Sequence, residues 1–453
     1  MSLRVSQLFC LILLIEAIVV YFAAPKIYNY NFNVFCSVQY AISVGIYLFL
    51  KKKKNYFDFD CVFFTGYFFV TLFYPVFMYE NDPTRFFAFQ YDFDANIIPQ
   101  ASALALVGIN AYIFGSFLHK PKSSEARKYG LKDFIPNNHL SFITAVTFLL
   151  YILTGGYAAL GGAYSGDEVQ KSAISSYVFI FTPAFLLSTI IIEFYNLRTK
   201  NMFKFQFKNL NKITLFISLM FVFLMLATGS RTVPMQVILL CGGLLTLFFK
   251  PISFVRFVFL AFLGMGVMFL VVLARGYQQQ GNFSLVDIAM DLIINNRNSY
   301  AAIEYVRTNG ITWGMSMSAS FLSPVPFLQN IVITLFGIDP FTMSSSIVIT
   351  KMTLGEVGEL GLGTNIIADI YMSFGFPGVV LLMTGLGYFI SMTLDKAKTN
   401  IYALVCYGIM MSYAVFLVRA EFFFFLRFLV WGIIIVYISK LYRVKFVLRK
   451  KIE

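Results

Sequence analysis

The residues best suited to chemistry are arginines placed where a charge is expensive. Arg231 stands in Ala-Thr-Gly-Ser-Arg-Thr, Arg275 in Leu-Ala-Arg-Gly, and Arg427 in Phe-Phe-Phe-Phe-Leu-Arg-Phe, with Arg419 between two apolar runs. Arg297 joins them from a more polar segment. An arginine inside hydrocarbon costs about 2.5–3.5 kcal/mol on the insertion scale, so each needs a partner or a polar cavity. Glu421, close to Arg427 in sequence, is its candidate partner. The planar guanidinium fork grips phosphate or carboxylate through two parallel hydrogen bonds. The chemistry such a set serves is the holding of an anion.

A general base has to be a carboxylate. The two histidines, His119 and His139, fall in basic connections and are expected to be solvated. Asp369 is the best placed acid, within two turns of the start of an apolar helix, where the helix dipole also favours it. Glu359 lies just upstream in Gly355-Glu-Val-Gly-Glu-Leu-Gly-Leu-Gly363, with Thr364 and Asn365 opening the helix. Glycines before a helix N-terminus leave free N–H groups, a generic anion site. Asp92-Phe-Asp94 has metal-pair spacing but is too common a motif to carry weight. Cys10, Cys36, Cys61, Cys241 and Cys406 sit singly in apolar stretches, as fillers. No cofactor and no metal are implied.

These residues hang on an apolar scaffold. The 453 residues are 59% hydrophobic and 13% charged, with a mean hydropathy of +0.76. That excludes a soluble globular chain and predicts an all-α polytopic membrane protein with about twelve transmembrane helices. The expected spans are 7–24, 34–50, 61–79, 100–118, 140–154, 174–193, 213–229, 233–249, 255–274, 365–394, 401–418 and 422–440. Leu8 to Ala24 reads as a first span and not as a cleaved leader. Glu16 lies within it, an acid to which the sequence assigns no role.

Charge orients the chain. Of its 35 basic residues, 25 fall on one face, which the positive-inside rule makes cytoplasmic, with both termini inside. That face carries 19 Lys and 6 Arg, whereas the opposite face carries 3 Lys and 7 Arg. Lysine suffices for orientation, so the outer arginines look built to hold an anion, the alternative being that they cap helices or pair with acids. The net charge of +13 is mostly this topogenic signal, and no nucleic-acid partner follows from it. The organisation is spans one to nine over 1–275, one large periplasmic loop over 276–363, and the last three spans over 364–453. Within the loop, Ile311 to Phe327 and Gln329 to Phe336 are too short to span and read as interfacial helices. No internal repeat is evident, which disfavours an inverted-repeat transporter.

Three features resemble the Wzy-type O-antigen (oligosaccharide repeat unit) polymerases of bacterial inner membranes. They are Thr228-Gly-Ser-Arg231, the large loop after Arg275, and Gly361-Leu-Gly-Thr-Asn-Ile-Ile-Ala-Asp369-Ile-Tyr-Met-Ser-Phe-Gly375-Phe-Pro-Gly378. The topology matches over nearly the whole chain. The resemblance implies a metal-independent glycosyltransferase that moves a growing glycan from undecaprenyl diphosphate to the non-reducing end of a new lipid-linked repeat unit, at the periplasmic face. It implies Arg231, Arg275, Arg297, Arg419 and Arg427 at the pyrophosphate, Asp369 or Glu359 as base, and Thr364, Asn365 and Tyr371 near the acceptor. Membrane lipid and a chain-length regulator are the further partners expected. The alternatives are a lipid-linked oligosaccharide flippase or transporter, and an O-antigen ligase. Ligases look to use an outer-face histidine, which this chain lacks in the topology above.

Overall fold

A computed structural model describes residues 3–120, 134–156, 173–199, 205–228, 230–274, 284–355 and 361–452. Among them there are helices and turns and no strand. The helices are α1 (Leu3–Phe22), α2 (Tyr30–Leu50), α3 (Phe59–Thr71), α4 (Ile98–Leu118), α5 (Asn138–Leu153), α6 (Ala173–Thr199), α7 (Lys212–Ala227), α8 (Thr232–Phe248) and α9 (Phe254–Ala274). Four shorter ones follow: α10 (Arg297–Asn309), α11 (Ser318–Leu322), α12 (Leu328–Phe336) and α13 (Ser345–Leu354). The chain closes with α14 (Ile366–Ala397), α15 (Ile401–Tyr413) and α16 (Leu426–Ile452). Each apolar stretch expected to span overlaps one of these helices, although α3 ends at Thr71, short of the expected 79, and α15 at Tyr413, short of 418. Among the described residues, five helical segments are long and apolar enough to cross a membrane, namely Val5–Phe22, Tyr30–Leu50, Ala95–Leu118, Tyr177–Thr199 and Ile366–Ala397.

The outer faces of the helices are as apolar as the core. Along α7, Thr214, Ile217, Phe221 and Met225 point inward, while Ile213, Phe216, Leu219 and Phe223 are exposed. Both faces recur at three- and four-residue spacing. Such a surface is stable only where the surrounding medium is itself apolar. Within α1 and α2, Glu16 is answered by Gln39, whose amide donates to it at 2.8 Å. The five cysteines are free thiols.

The central pair is α4 and α14. They touch backbone to backbone, since a Cβ at Gly115 would lie 1.9 Å from the Thr384 carbonyl oxygen. One at Gly387 would lie 2.0 Å from the carbonyl oxygen of Tyr112. Small residues permit this approach in a membrane bundle. Gly115→Leu should force the helices apart, at about 1–3 kcal/mol for overpacking, and lower the melting temperature of the detergent-extracted protein. Gly385→Leu, where a Cβ meets nothing within 4 Å, should leave it unchanged.

α14 is broken at Gly375, whose φ is +63°, two residues before Pro377. The break frees carbonyl groups, and the loop fills them. The Thr312 N–H donates to the Met372 carbonyl at 2.9 Å and the Gly314 N–H to that of Ser373 at 3.3 Å. The loop is thereby stitched to the bundle. Its stretch 311–327 is not one helix as expected. Only turns at Met315–Met317 and α11 are helical, because Pro324 and Pro326 lack the N–H to continue. α12 does form, and it leaves Ile331, Leu335 and Phe336 exposed.

The basic ends also differ from expectation in one respect. Neither histidine is simply solvated. His119 lies 3.3 Å from an Asp395 oxygen, and His139 sits within α5, 3.2 Å from the Ser439 hydroxyl. Nearby, Asp60 accepts from Lys53 at 2.7 Å and from the hydroxyls of Tyr47 and Tyr112 at 2.5 Å each, closing that end of the bundle.

Candidate active site

Two cavities meet at the end of the bundle that carries the loop. The first is an apolar groove of about 380 Å³ between α3, α8 and α9. Val62, Gly66, Met235, Ile238, Leu260, Gly264 and Met265 line it, and Phe57 and Phe257 close its far end. From Phe257 to Phe269 along α9 the lining covers about 18 Å at the helical rise of 1.5 Å per residue. Ile238 is 49% exposed and Leu260 36%, so the groove's lining reaches the outer surface of the bundle at α8 and α9. Its polar end holds Arg231, Asp291 and Arg419.

The second cavity, about 650 Å³ in volume, carries more polar side chains than the first, set beside Phe179, Ile180, Pro183, Val233, Phe424 and Phe428, and is called the polar cavity for that reason. Ser230, Gln236, Ser320, Ser344, Thr364, Tyr413, Glu421 and Arg427 line it. Thr232, Phe416 and Arg419 belong to both cavities and form their shared wall.

Arg231 and Arg419 converge on one carboxylate. Arg231, which directly precedes α8, forms an ion pair with Asp291. Arg419, in the turn between α15 and α16, lies 3.9 Å from the same Asp291 oxygen and donates to the Asp291 carbonyl at 3.1 Å. Asp291 is carried on a short helical segment that follows Ser284. A fork fixes that segment: Arg85 donates through Nε and Nη2 to the two Asp287 oxygens at 2.6 and 2.7 Å. The Ser284 N–H adds a bond to Asp287 at 2.8 Å. Asp287 keeps Arg85 firmly charged, raising its pKa against the lowering effect of burial.

The remaining predicted residues divide. Arg427 faces the polar cavity, donates to the Ser323 carbonyl at 3.0 Å and lies over Trp431. It does not bridge to Glu421, the partner expected for it. Glu421 instead accepts from the hydroxyls of Ser320 and Ser344. Thr364 lines the cavity, whereas Asn365 is consumed by structure. It caps α14 by accepting from the Ala368 N–H at 2.8 Å and donates to the Asn295 carbonyl and the Ser299 hydroxyl. Tyr371 faces α1, with its hydroxyl 3.4 Å from that of Tyr21, and lines neither cavity.

Arg297 is also elsewhere. It is buried at the start of α10, donates to the Asp92 carbonyl at 2.8 Å and stacks over Phe93. Burial lowers its pKa, with the charge of Glu304 opposing. Asp94 caps the following turn through the Asn96 N–H and lies 3.6 Å from Arg307, so the Asp-x-Asp motif serves the loop's structure. Asp369 is fully buried, accepting from the Ser345 hydroxyl at 2.6 Å and from the Phe422 N–H at 2.7 Å. It ties α13, α14 and the 420–425 turn together one layer behind the cavity. Arg275 and Glu359 lie outside the described residues.

Sequence reasoning did not single out Asp291 or the serines. Asp291 is one of several loop acids, and nothing local marks it. Ser344 and Ser345 carry a weak signal, a serine run directly before a helix, which is an N-cap pattern.

The arrangement is a pair of guanidinium groups held on one carboxylate, Asp291, where an apolar groove meets a cavity richer in polar side chains. No curated protein and no solved structure matches the chain. The model of the family described as O-antigen polysaccharide polymerase Wzy does match, over residues 5–451 and so over both cavities, and the chain therefore belongs to that family, a bacterial inner-membrane polymerase of glycosyltransferase type acting on lipid-linked O-antigen repeat units.

Proposed function

We propose that this chain polymerises undecaprenyl-diphosphate-linked repeat units at the periplasmic face, transferring the growing glycan to the non-reducing end of a new lipid-linked unit. The observation that carries this reading is the convergence of Arg231 and Arg419 on Asp291 where the apolar groove meets the polar cavity. A lipid diphosphate has the matching parts in the matching order. Its tail lies in the groove, its phosphates meet the guanidinium groups, and its sugars enter the cavity. As the bond to the sugar breaks, negative charge grows on the diphosphate, and preorganised donors at that place lower the barrier. Arg231, Arg419 and Arg427 supply that charge, so the mechanism proposed is metal-independent. Arg275 is assigned the same role on its sequence position alone. In this reading all twelve apolar helices span, both termini are cytoplasmic, and the loop with α10 to α13 covers the outer mouth. The exposed apolar residues of α12 suit a place at the membrane interface.

The test is the lipopolysaccharide of a deletion strain. Core carrying a single repeat unit is the expected result, with a ladder restored by the wild-type gene. Core carrying no repeat unit would point to a ligase or flippase, and an unchanged ladder would remove this polysaccharide from consideration.

A further inference from the structure

The reaction needs a group to take the proton of the attacking hydroxyl, and the buried Asp369 does not reach the chamber. We propose that Glu421 is that base and that Asp369 is a positioning residue, an assignment that rests on the polymerase reading above. Among the described residues Glu421 is the only carboxylate lining the polar cavity. It is 8% exposed, and it shares the cavity wall with Arg419 and Arg427. Ser320 from α11 and Ser344 at the start of α13 each donate a hydroxyl to one of its oxygens. These two bonds leave each carboxylate oxygen a further lone pair, and they fix the rotamer from two separate loop elements.

Asp369 acts one step behind. Its bonds go to Ser345 and to the Phe422 N–H, the residues next to Ser344 and Glu421. One acid therefore holds the backbone on which the other acid and one of its donors are carried. In the step proposed, a hydroxyl oxygen of the acceptor sugar forms a bond to the anomeric carbon of the donor glycan. The bond from that carbon to the diphosphate breaks, and its electron pair leaves with the diphosphate, beside Arg231 and Arg419. The hydroxyl proton passes to Glu421 and then to water.

The experiment uses the full chain, purified in detergent, with lipid-linked repeat units extracted from the deletion strain. Glu421→Gln should bind those units as the wild type does while kcat falls about 10²- to 10⁴-fold, the usual weight of a general base. Glu421→Ala should regain activity severalfold in added formate, a small carboxylate that the cavity has room for. Ser320→Ala leaves the carboxylate but removes one of its donors, and should lower kcat about tenfold without changing binding. If Glu421→Gln does not survive extraction, Ser320→Ala and Glu421→Asp decide, and both must lose kcat at unchanged binding. A Glu421→Gln kcat within fivefold of wild type would overturn the assignment. So would a loss of binding equal to the loss of turnover, or an absence of formate rescue. Wild-type protein that forms no polymer would sink the polymerase reading itself, whereas polymer formed by Glu421→Gln at a rate within fivefold of wild type sinks only the base.

Discussion

Arg419→Ala is expected to leave the deletion strain with core bearing single repeat units, as though no gene had been supplied. Arg419 is the one guanidinium that both cavities share, and its Nη1 contacts both the carboxylate and the backbone carbonyl of Asp291. Removing a preorganised donor from a site where charge develops costs about 10²–10³ in kcat. Arg231→Ala should fall by a similar factor. Arg419→Lys keeps the charge but loses the fork, and should recover only part of the rate. The measurement is initial rate against concentration of lipid-linked unit for the purified protein. A loss confined to kcat places the guanidinium at the breaking bond. A loss confined to KM would make it a binding group only, and full activity would refute the clamp.

Gly264→Phe should have the second largest effect, by blocking the groove without disturbing the fold. A Cβ at Gly264 meets nothing within 4 Å, so the ring has open space to enter, and that space is the groove. A tail sharing the slot with a phenyl ring is overpacked, at about 1–3 kcal/mol, or about 5- to 150-fold in kcat/KM. The control is Gly266→Phe, also with nothing within 4 Å but absent from the groove lining. A repeat unit on a shortened isoprenoid should be nearly indifferent to the Gly264 change. Equal losses for long and short tails would show that the tail lies elsewhere.

The scaffold was largely legible because hydrophobicity is local. The expected stretch 255–274 is α9 to within a residue, and 365–394 is α14 extended by a turn into its basic end. The third stretch, 61–79, hid a break, since α3 stops at Thr71 and only a turn continues over Phe73–Phe77. The site was legible as residue types and not as partnerships. Arg231 and Arg419 stood out because charge near hydrocarbon is rare. Their common partner Asp291 did not, because it comes from a distant part of the chain and the pairing depends on how the loop folds back. Arg297 and Tyr371 have the right types in the right region, yet the first lies under Phe93 and the second against Tyr21. Glu421 was visible as an acid near an arginine, but proximity in sequence suggested the wrong partner, and only the folded loop brings two serines to it.

In the proposed reading, the place where the groove reaches the bundle surface, at Ile238 and Leu260, would set the terms on which substrate is met. A tail that had to pass through water would expose its methylenes at about 0.8 kcal/mol each, a prohibitive cost for a long isoprenoid. Entering between α8 and α9, it would slide in from the surrounding lipid without ever leaving an oily medium. Encounter then becomes a search in two dimensions, governed by how many carriers occupy a patch of membrane and not by their amount per volume of cell. A polymer growing outward adds nothing to the part that must diffuse through the lipid, so a long chain should find the groove about as readily as a short one.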